Sequence, residues 1–231
     1  MEQRTISNKL VKGGAADDSL PRPHPLIYPI SWAIVWMYYH IGGWKVHGRE
    51  NVPRKGPVIF ASNHVSFLDP TAINLAAPRI PRTMAKSELF DGRIAWLMRG
   101  LASFPVRRGK PDRAAMRRAL KVLEKGMVLS VFPEGTRSKD GTLGTAGPGF
   151  SWLVHSSKVP VIPIFLQGNE KTMSPQHPKF RFIRGQVWFG EQIYFHEEWK
   201  QKPSREILDT ISERVMKGIA DLKEKANGLG E

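Results

Sequence analysis

Apolar residues recur along this chain in two rhythms. Short unbroken runs at 58–61, 127–132 and 159–166 predict buried strands of a sheet covered on both faces. The last run contains Pro160 and Pro163, which predicts an edge or irregular strand. Shorter strands are predicted at 82–87 and 103–106, a strand and turn at 45–53, and one or two strands within 180–195. Helical spacing appears between them. It predicts helices at 71–77, at 88–100 with Leu89, Phe90, Ile94, Leu97 and Met98 on one side, and at 150–156. Asp112 caps a further helix at 113–125 that stops at Gly126. A terminal helix from Ser204 carries Ile207, Ile211, Val215, Ile219 and Leu222 on one stripe. The alternation predicts an α/β fold, a mostly parallel central sheet flanked by helices.

Residues 25–46 break this rhythm and concentrate aromatics in one segment: Tyr28, Trp32, Trp36, Tyr38, Tyr39 and Trp44. Ser31 suits a helix cap and Gly42-Gly43 a stop. Such a helix is shorter than the roughly 20 apolar residues of a membrane span. Two readings remain. It lies in a bilayer surface, docked by Trp32, Trp36, Tyr38, Tyr39 and Trp44, or it packs on the domain as a core helix. Residues 1–24 are polar and proline-rich and read as a mobile arm. Residues 47–226 read as the folded domain and 227–231 as a tail.

Charge narrows the partners. The chain carries 35 basic and 21 acidic side chains, a net +14. That favours an anionic membrane, nucleic acid or anionic small substrates. There is no cysteine, which excludes disulfides and thiolate catalysis. Residues 1–18 lack the apolar segment of a secretory signal.

Two loops carry candidate chemistry, each following a predicted buried strand. The first, Ser62-Asn63-His64-Val65-Ser66-Phe67-Leu68-Asp69-Pro70, sets an imidazole and a carboxylate on one strand-to-helix connection. Imidazole takes a proton near neutral pH, and a carboxylate on its other nitrogen fixes the tautomer. The same residues suit a plain helix start, with Asp69 as N-cap and Pro70 at the first helical position. The second loop, Pro133-Glu134-Gly135-Thr136-Arg137-Ser138, combines a carboxylate, a flexible glycine, a hydroxyl and a guanidinium. It reads as an ordinary turn with a Glu134–Arg137 pair, or as a phosphate site in which Glu134 orients Arg137. Lys86 ends a strand and is a candidate anion contact.

Four blocks in order carry a resemblance: Asn63–Asp69, Gly100–Arg108 ending in Arg107-Arg108, Phe132–Ser138, and the apolar Val159-Pro160-Val161-Ile162-Pro163. Together they resemble the glycerolipid acyltransferase family, which includes lysophosphatidic acid and glycerol-3-phosphate acyltransferases. The resemblance implies acyl transfer from acyl-CoA or acyl carrier protein to a hydroxyl of a phosphorylated glycerol, foremost 1-acylglycerol-3-phosphate. It implies His64 as general base and Asp69 as its partner. Arg108, Glu134, Gly135, Thr136 and Arg137 would form the phosphate site, with Lys86 reaching the phosphate or the developing oxyanion. Arg107 would be a secondary helper. It implies no cofactor and no metal, and an enzyme peripheral or monotopic on the cytoplasmic face of a membrane. Other acceptors open to the same chemistry are glycerol-3-phosphate, another lysophospholipid or a lyso-ornithine lipid. Composition alone also admits an inactive basic protein binding membrane or nucleic acid, although no nucleic-acid motif is present.

Overall fold

The computed structural model describes residues 20–107, 109 and 111–228. Among these, seven strands form one sheet: β1 (Lys45–His47), β2 (Val58–Ser62), β3 (Pro81–Lys86), β4 (Ser103–Val106), β5 (Val128–Val131), β6 (Val161–Gln167) and β7 (Gln186–Phe189). Their spatial order is β1-β7-β6-β2-β5-β3-β4. The pairs from β6 through β4 are parallel; β7 runs antiparallel to β6, and β1 follows β7. The expected mostly parallel sheet is therefore present.

Central β2 is buried at all five residues. Its Ile59 and Ala61 join the core against α4 (Arg113–Glu124), α5 (Pro148–Ser157) and α6 (Arg205–Gly228). Val58 and Phe60 join the core on the other face, against α1 (Ile27–Ile41) and α2 (Asp69–Ala76). A strand covered on both faces has no polar face, so its sequence is a continuous apolar run. Fully buried Ile59 and Phe60 each contribute about 1.5–3 kcal/mol of transfer free energy.

Four expectations need correction. The run at 159–166 is the irregular strand of the two expected alternatives and not an edge: β6 lies between β7 and β2. Pro163 is tolerated because the β7 ladder begins at Ile164, while Gly190 donates to the Pro163 carbonyl at 2.9 Å. The missing N–H thus falls at a break in pairing. The expected helix at 88–100 is two pieces, a 3-10 turn (Ser87–Phe90) and α3 (Ala95–Gly100), separated around Asp91-Gly92. Helix α1 begins at Ile27, ahead of Ser31, because His24 Nδ1 accepts the N–H groups of Leu26 and Ile27 at 3.2 and 3.3 Å. Pro29 sits in that first turn, where a missing N–H costs nothing. Finally, the end of the expected mobile arm is pinned. Pro23 bridges Leu101, and Arg82 Nε donates to the Pro21 carbonyl. The rest of that arm, residues 1–19, and tail residues 229–231 lie outside the described residues, while 227 and 228 are still helical.

Candidate active site

β2, β5 and β6 are neighbours and parallel. The loops that follow them therefore leave one edge of the sheet together, as the positions of the two candidate loops require. Asn63 locks the first loop to β6: its side chain accepts from Leu166 N–H at 2.8 Å and donates to Leu166 C=O at 3.0 Å. His64 follows, 5 % exposed, its ring stacked on Phe132 with centroids 4.0 Å apart.

Asp69 is fully buried. Its Oδ2 accepts from His64 Nδ1 at 2.8 Å and from the N–H groups of Val65 and Ser66 at 2.7 Å each. Asn169 Nδ2 donates to Oδ1 at 2.8 Å. This removes Asp69 as the helix N-cap. Asp69 is the first residue of α2, and Leu68 occupies the cap position. The carboxylate turns back to the loop rather than capping the helix. As a pure acceptor it requires a proton on His64 Nδ1, which leaves Nε2 with its lone pair.

The second loop acts as a brace. Glu134 Oε1 accepts the His64 N–H at 3.3 Å and Oε2 accepts the Gly144 N–H at 3.1 Å. Ser138 N–H donates to His64 C=O at 2.7 Å. Burial pushes the Glu134 carboxyl above its ordinary pKa, outweighing these bonds. The expected Glu134–Arg137 pair does not form, because both carboxylate oxygens are used on backbone. Gly135 turns the chain at φ +70°, a conformation costly for other residues. Gly135, Thr136 and Arg137 are exposed beside His64; Arg137 Nη1 reaches the Met173 carbonyl at 3.5 Å.

A cavity of about 650 Å³ opens from His64, Arg137 and Lys86 and runs between α1, α2, β3 and α3. Its walls are mostly apolar, including Ile27, Ile34, Leu75, Met84, Leu97 and Phe132. Its size suits a ligand with a long apolar part. Lys86 stands at the end of β3 in an exposed pair with Glu88, 2.8 Å. Arg107 is engaged by Asp112, which accepts its backbone N–H at 2.9 Å and its Nε at 3.4 Å. Arg108 lies outside the described residues. Among the described residues no group of three His, Asp or Glu side chains is placed to hold a metal ion.

The aromatic segment divides. Trp32 and Trp36 are exposed, but Tyr38 and Tyr39 face inward. Tyr39 OH is within 3.3 Å of both Leu68 C=O and Thr71 Oγ1, and burial raises its pKa. Trp44 is partly buried, its Nε1 on the Ile183 carbonyl at 2.9 Å. The outward face of α1 joins Trp32 and Trp36 to Ile30, Ile34, Met37 and Ile41, with Leu26 exposed just before the helix. Among the described residues no helix is long and apolar enough to cross a membrane.

Asn169 is the site residue that sequence reasoning misses. It opens a 3-10 turn (Asn169–Lys171) after β6, at the same sheet edge. The available signal was its position: a Gly168-Asn169 pair closing a third buried strand of the same sheet.

The sequence model of a family described as Acyltransferase matches residues 43–167, which contain all four motif blocks. The chain is 28 % identical over 194 residues to a 1-acyl-sn-glycerol-3-phosphate acyltransferase of Bacillus subtilis, covering 81 % of this chain and 92 % of that one. It is 34 % identical over 148 residues to a chloroplastic 1-acyl-sn-glycerol-3-phosphate acyltransferase of Arabidopsis thaliana, 62 % of this chain but only 40 % of the plant protein. The crystal structure of the 1-acyl-sn-glycerophosphate (LPA) acyltransferase PlsC from Thermotoga maritima superposes with a TM-score of 0.64 at 25 % identity, covering 82 % of this chain and 80 % of that one.

Proposed function

Because this chain belongs to the acyltransferase family, we propose that it transfers a fatty acyl group from acyl-CoA or acyl carrier protein to the sn-2 hydroxyl of 1-acylglycerol-3-phosphate. The product is phosphatidic acid. One observation carries the reading: an Asp69-anchored His64 whose Nε2 is free stands at the mouth of an apolar cavity beside Arg137. The names of the relatives support the acceptor.

His64 Nε2 takes the proton of the acceptor hydroxyl as that oxygen bonds to the thioester carbonyl carbon. Asp69 stabilises the imidazolium through Nδ1–H. The tetrahedral oxyanion collapses, the carbon–sulfur bond breaks, and the thiolate recovers the proton from His64. General base catalysis supplies about 10²- to 10⁴-fold, so positioning of both substrates and oxyanion stabilisation supply the rest. The phosphate is held by Arg137 and Lys86, by backbone at Gly135 and Thr136, and by Arg108 from the second block. Glu134 serves that site by holding its loop against His64. The acyl chain occupies the apolar cavity. The exposed apolar face of α1, Trp32 and Trp36 included, docks the enzyme peripherally on the cytoplasmic face of a membrane, so that the lysophospholipid enters from the bilayer.

Thiol release from acyl-CoA or acyl carrier protein in the presence of lysophosphatidic acid, measured beside His64→Ala, tests the reaction. Loss of release in the variant is the expected result. Release that persists unchanged overturns the role of His64.

A further inference from the structure

We propose that residues 178–184, the loop between the active-site edge and β7, form a second docking element selective for anionic bilayers. The inference rests on the docking of α1 and extends it to a part of the chain remote in sequence. Residues 179–184 read Lys-Phe-Arg-Phe-Ile-Arg, a basic-aromatic alternation. The segment forms no strand, and Lys179, Phe180, Arg181, Phe182 and Arg184 are all exposed. Phe180 is 54 % and Phe182 65 % exposed, unusual for two adjacent large apolar rings. No ion pair joins these three basic side chains to a carboxylate among the described residues.

The loop is fastened to α1. Both phenylalanine rings stand against Tyr38, centroids 5.0 and 5.4 Å apart, and 5.6 Å from each other. Tyr38 OH donates to Arg181 C=O at 2.8 Å, and Trp44 Nε1 to Ile183 C=O at 2.9 Å. The exposed rings thus extend the α1 surface at its C-terminal end. Lys179, Arg181 and Arg184 add what α1 lacks, since its helix contains no Lys, Arg, Asp or Glu. Rings that enter the acyl boundary beside cations that stay among headgroups fit an anionic lipid surface.

The same loop touches the catalytic one. Thr172 Oγ1 accepts the Arg181 N–H at 2.9 Å, and Met173 N–H donates to Lys179 C=O at 3.2 Å. Thr172 C=O in turn accepts Ser66 Oγ at 2.6 Å, and Met173 C=O accepts Phe67 N–H at 3.0 Å. Bilayer contact at the loop therefore lies two residues of hydrogen bonding from the His64–Asp69 turn.

The test is co-sedimentation of the full chain with vesicles of pure phosphatidylcholine and of phosphatidylcholine with phosphatidylglycerol, with folding of each variant checked by melting. Lys179→Gln/Arg181→Gln/Arg184→Gln should weaken binding to anionic vesicles by about 10²-fold, near fivefold per charge, and leave neutral vesicles unaffected. Phe180→Ser/Phe182→Ser should weaken binding to both. Folded loop variants that bind both vesicle types like the wild type overturn the proposal. So does unchanged vesicle binding with a raised KM for an acyl carrier protein donor, which would make the loop a carrier-protein site. The reading of α1 falls separately, if Ile34→Gln/Met37→Gln binds vesicles like the wild type.

Discussion

Asp69→Asn separates the charge of Asp69 from its shape. Three donors converge on Oδ2 and one on Oδ1. The single carbonyl oxygen of the new amide takes the Oδ2 position, where more donors wait, and its NH₂ then faces the NH₂ of Asn169. Asn169 has an answer, because its Oδ1 is buried without a partner. Turning that amide over pairs the new NH₂ with this oxygen. The fold therefore survives, at a cost of about 1–3 kcal/mol as charge-assisted bonds become neutral ones. The rate does not survive. His64 Nδ1 keeps an acceptor, so its tautomer is retained, but the imidazolium loses its counter-charge. Two unit charges about 4 Å apart at an effective dielectric constant near 20 interact by about 4 kcal/mol, or about 10³-fold in kcat. Both KM values stay unchanged, because Asp69 is fully buried and meets neither substrate. Thiol-release kinetics and a melting curve on the same preparation read both effects. A folded variant within about tenfold of wild-type kcat would refute charge development on His64 in the transition state.

Asn169→Ala removes the donor to Asp69 Oδ1 and leaves a buried carboxylate oxygen bare. Denaturant unfolding should show a loss of about 1–3 kcal/mol, and kcat should fall about tenfold with KM unchanged. Combined with Asp69→Asn it should cost less than the sum of the singles, because in that background Asn169→Ala removes a neutral hydrogen bond rather than one to a buried carboxylate. Arg137→Ala should raise KM for lysophosphatidic acid about 10- to 150-fold, the loss of one charged hydrogen-bonding partner, and leave KM for the thioester unchanged. Initial-rate kinetics in each substrate check this.

The His64–Asp69 pair is legible in the sequence because it is local. His64, Asp69 and the two N–H groups that share its carboxylate all lie within residues 64–69, so spacing alone holds the information. Asn169 is illegible because its role comes from the pairing of β6 with β2, which brings it to a residue 100 positions away. Before that pairing is known, an asparagine after a glycine is only a turn. Pro163 misleads for the same reason: whether a missing N–H matters depends on what lies across the strand, and here the β7 ladder has not begun.

The aromatic helix shows a different limit. Helical phase is read from a contrast between apolar and polar positions, and α1 offers almost none. What turns it is the polar tip of each tyrosine. Tyr28 OH donates to Asn74 Oδ1 at 2.8 Å, Tyr38 OH to the Arg181 carbonyl, and Tyr39 OH lies on Leu68 C=O and Thr71 Oγ1. A buried hydroxyl without a partner costs about 1–3 kcal/mol, so three such groups outweigh the modest difference between burying a tyrosine ring or an isoleucine. The tyrosines go inward because partners exist there, and Ile30, Ile34, Met37 and Ile41 are left facing out. The exposed side of this helix therefore carries these aliphatic side chains beside Trp32 and Trp36. Counting aromatic rings mixes the tyrosines that hold the helix to the domain with two tryptophans, Trp32 and Trp36, that face out.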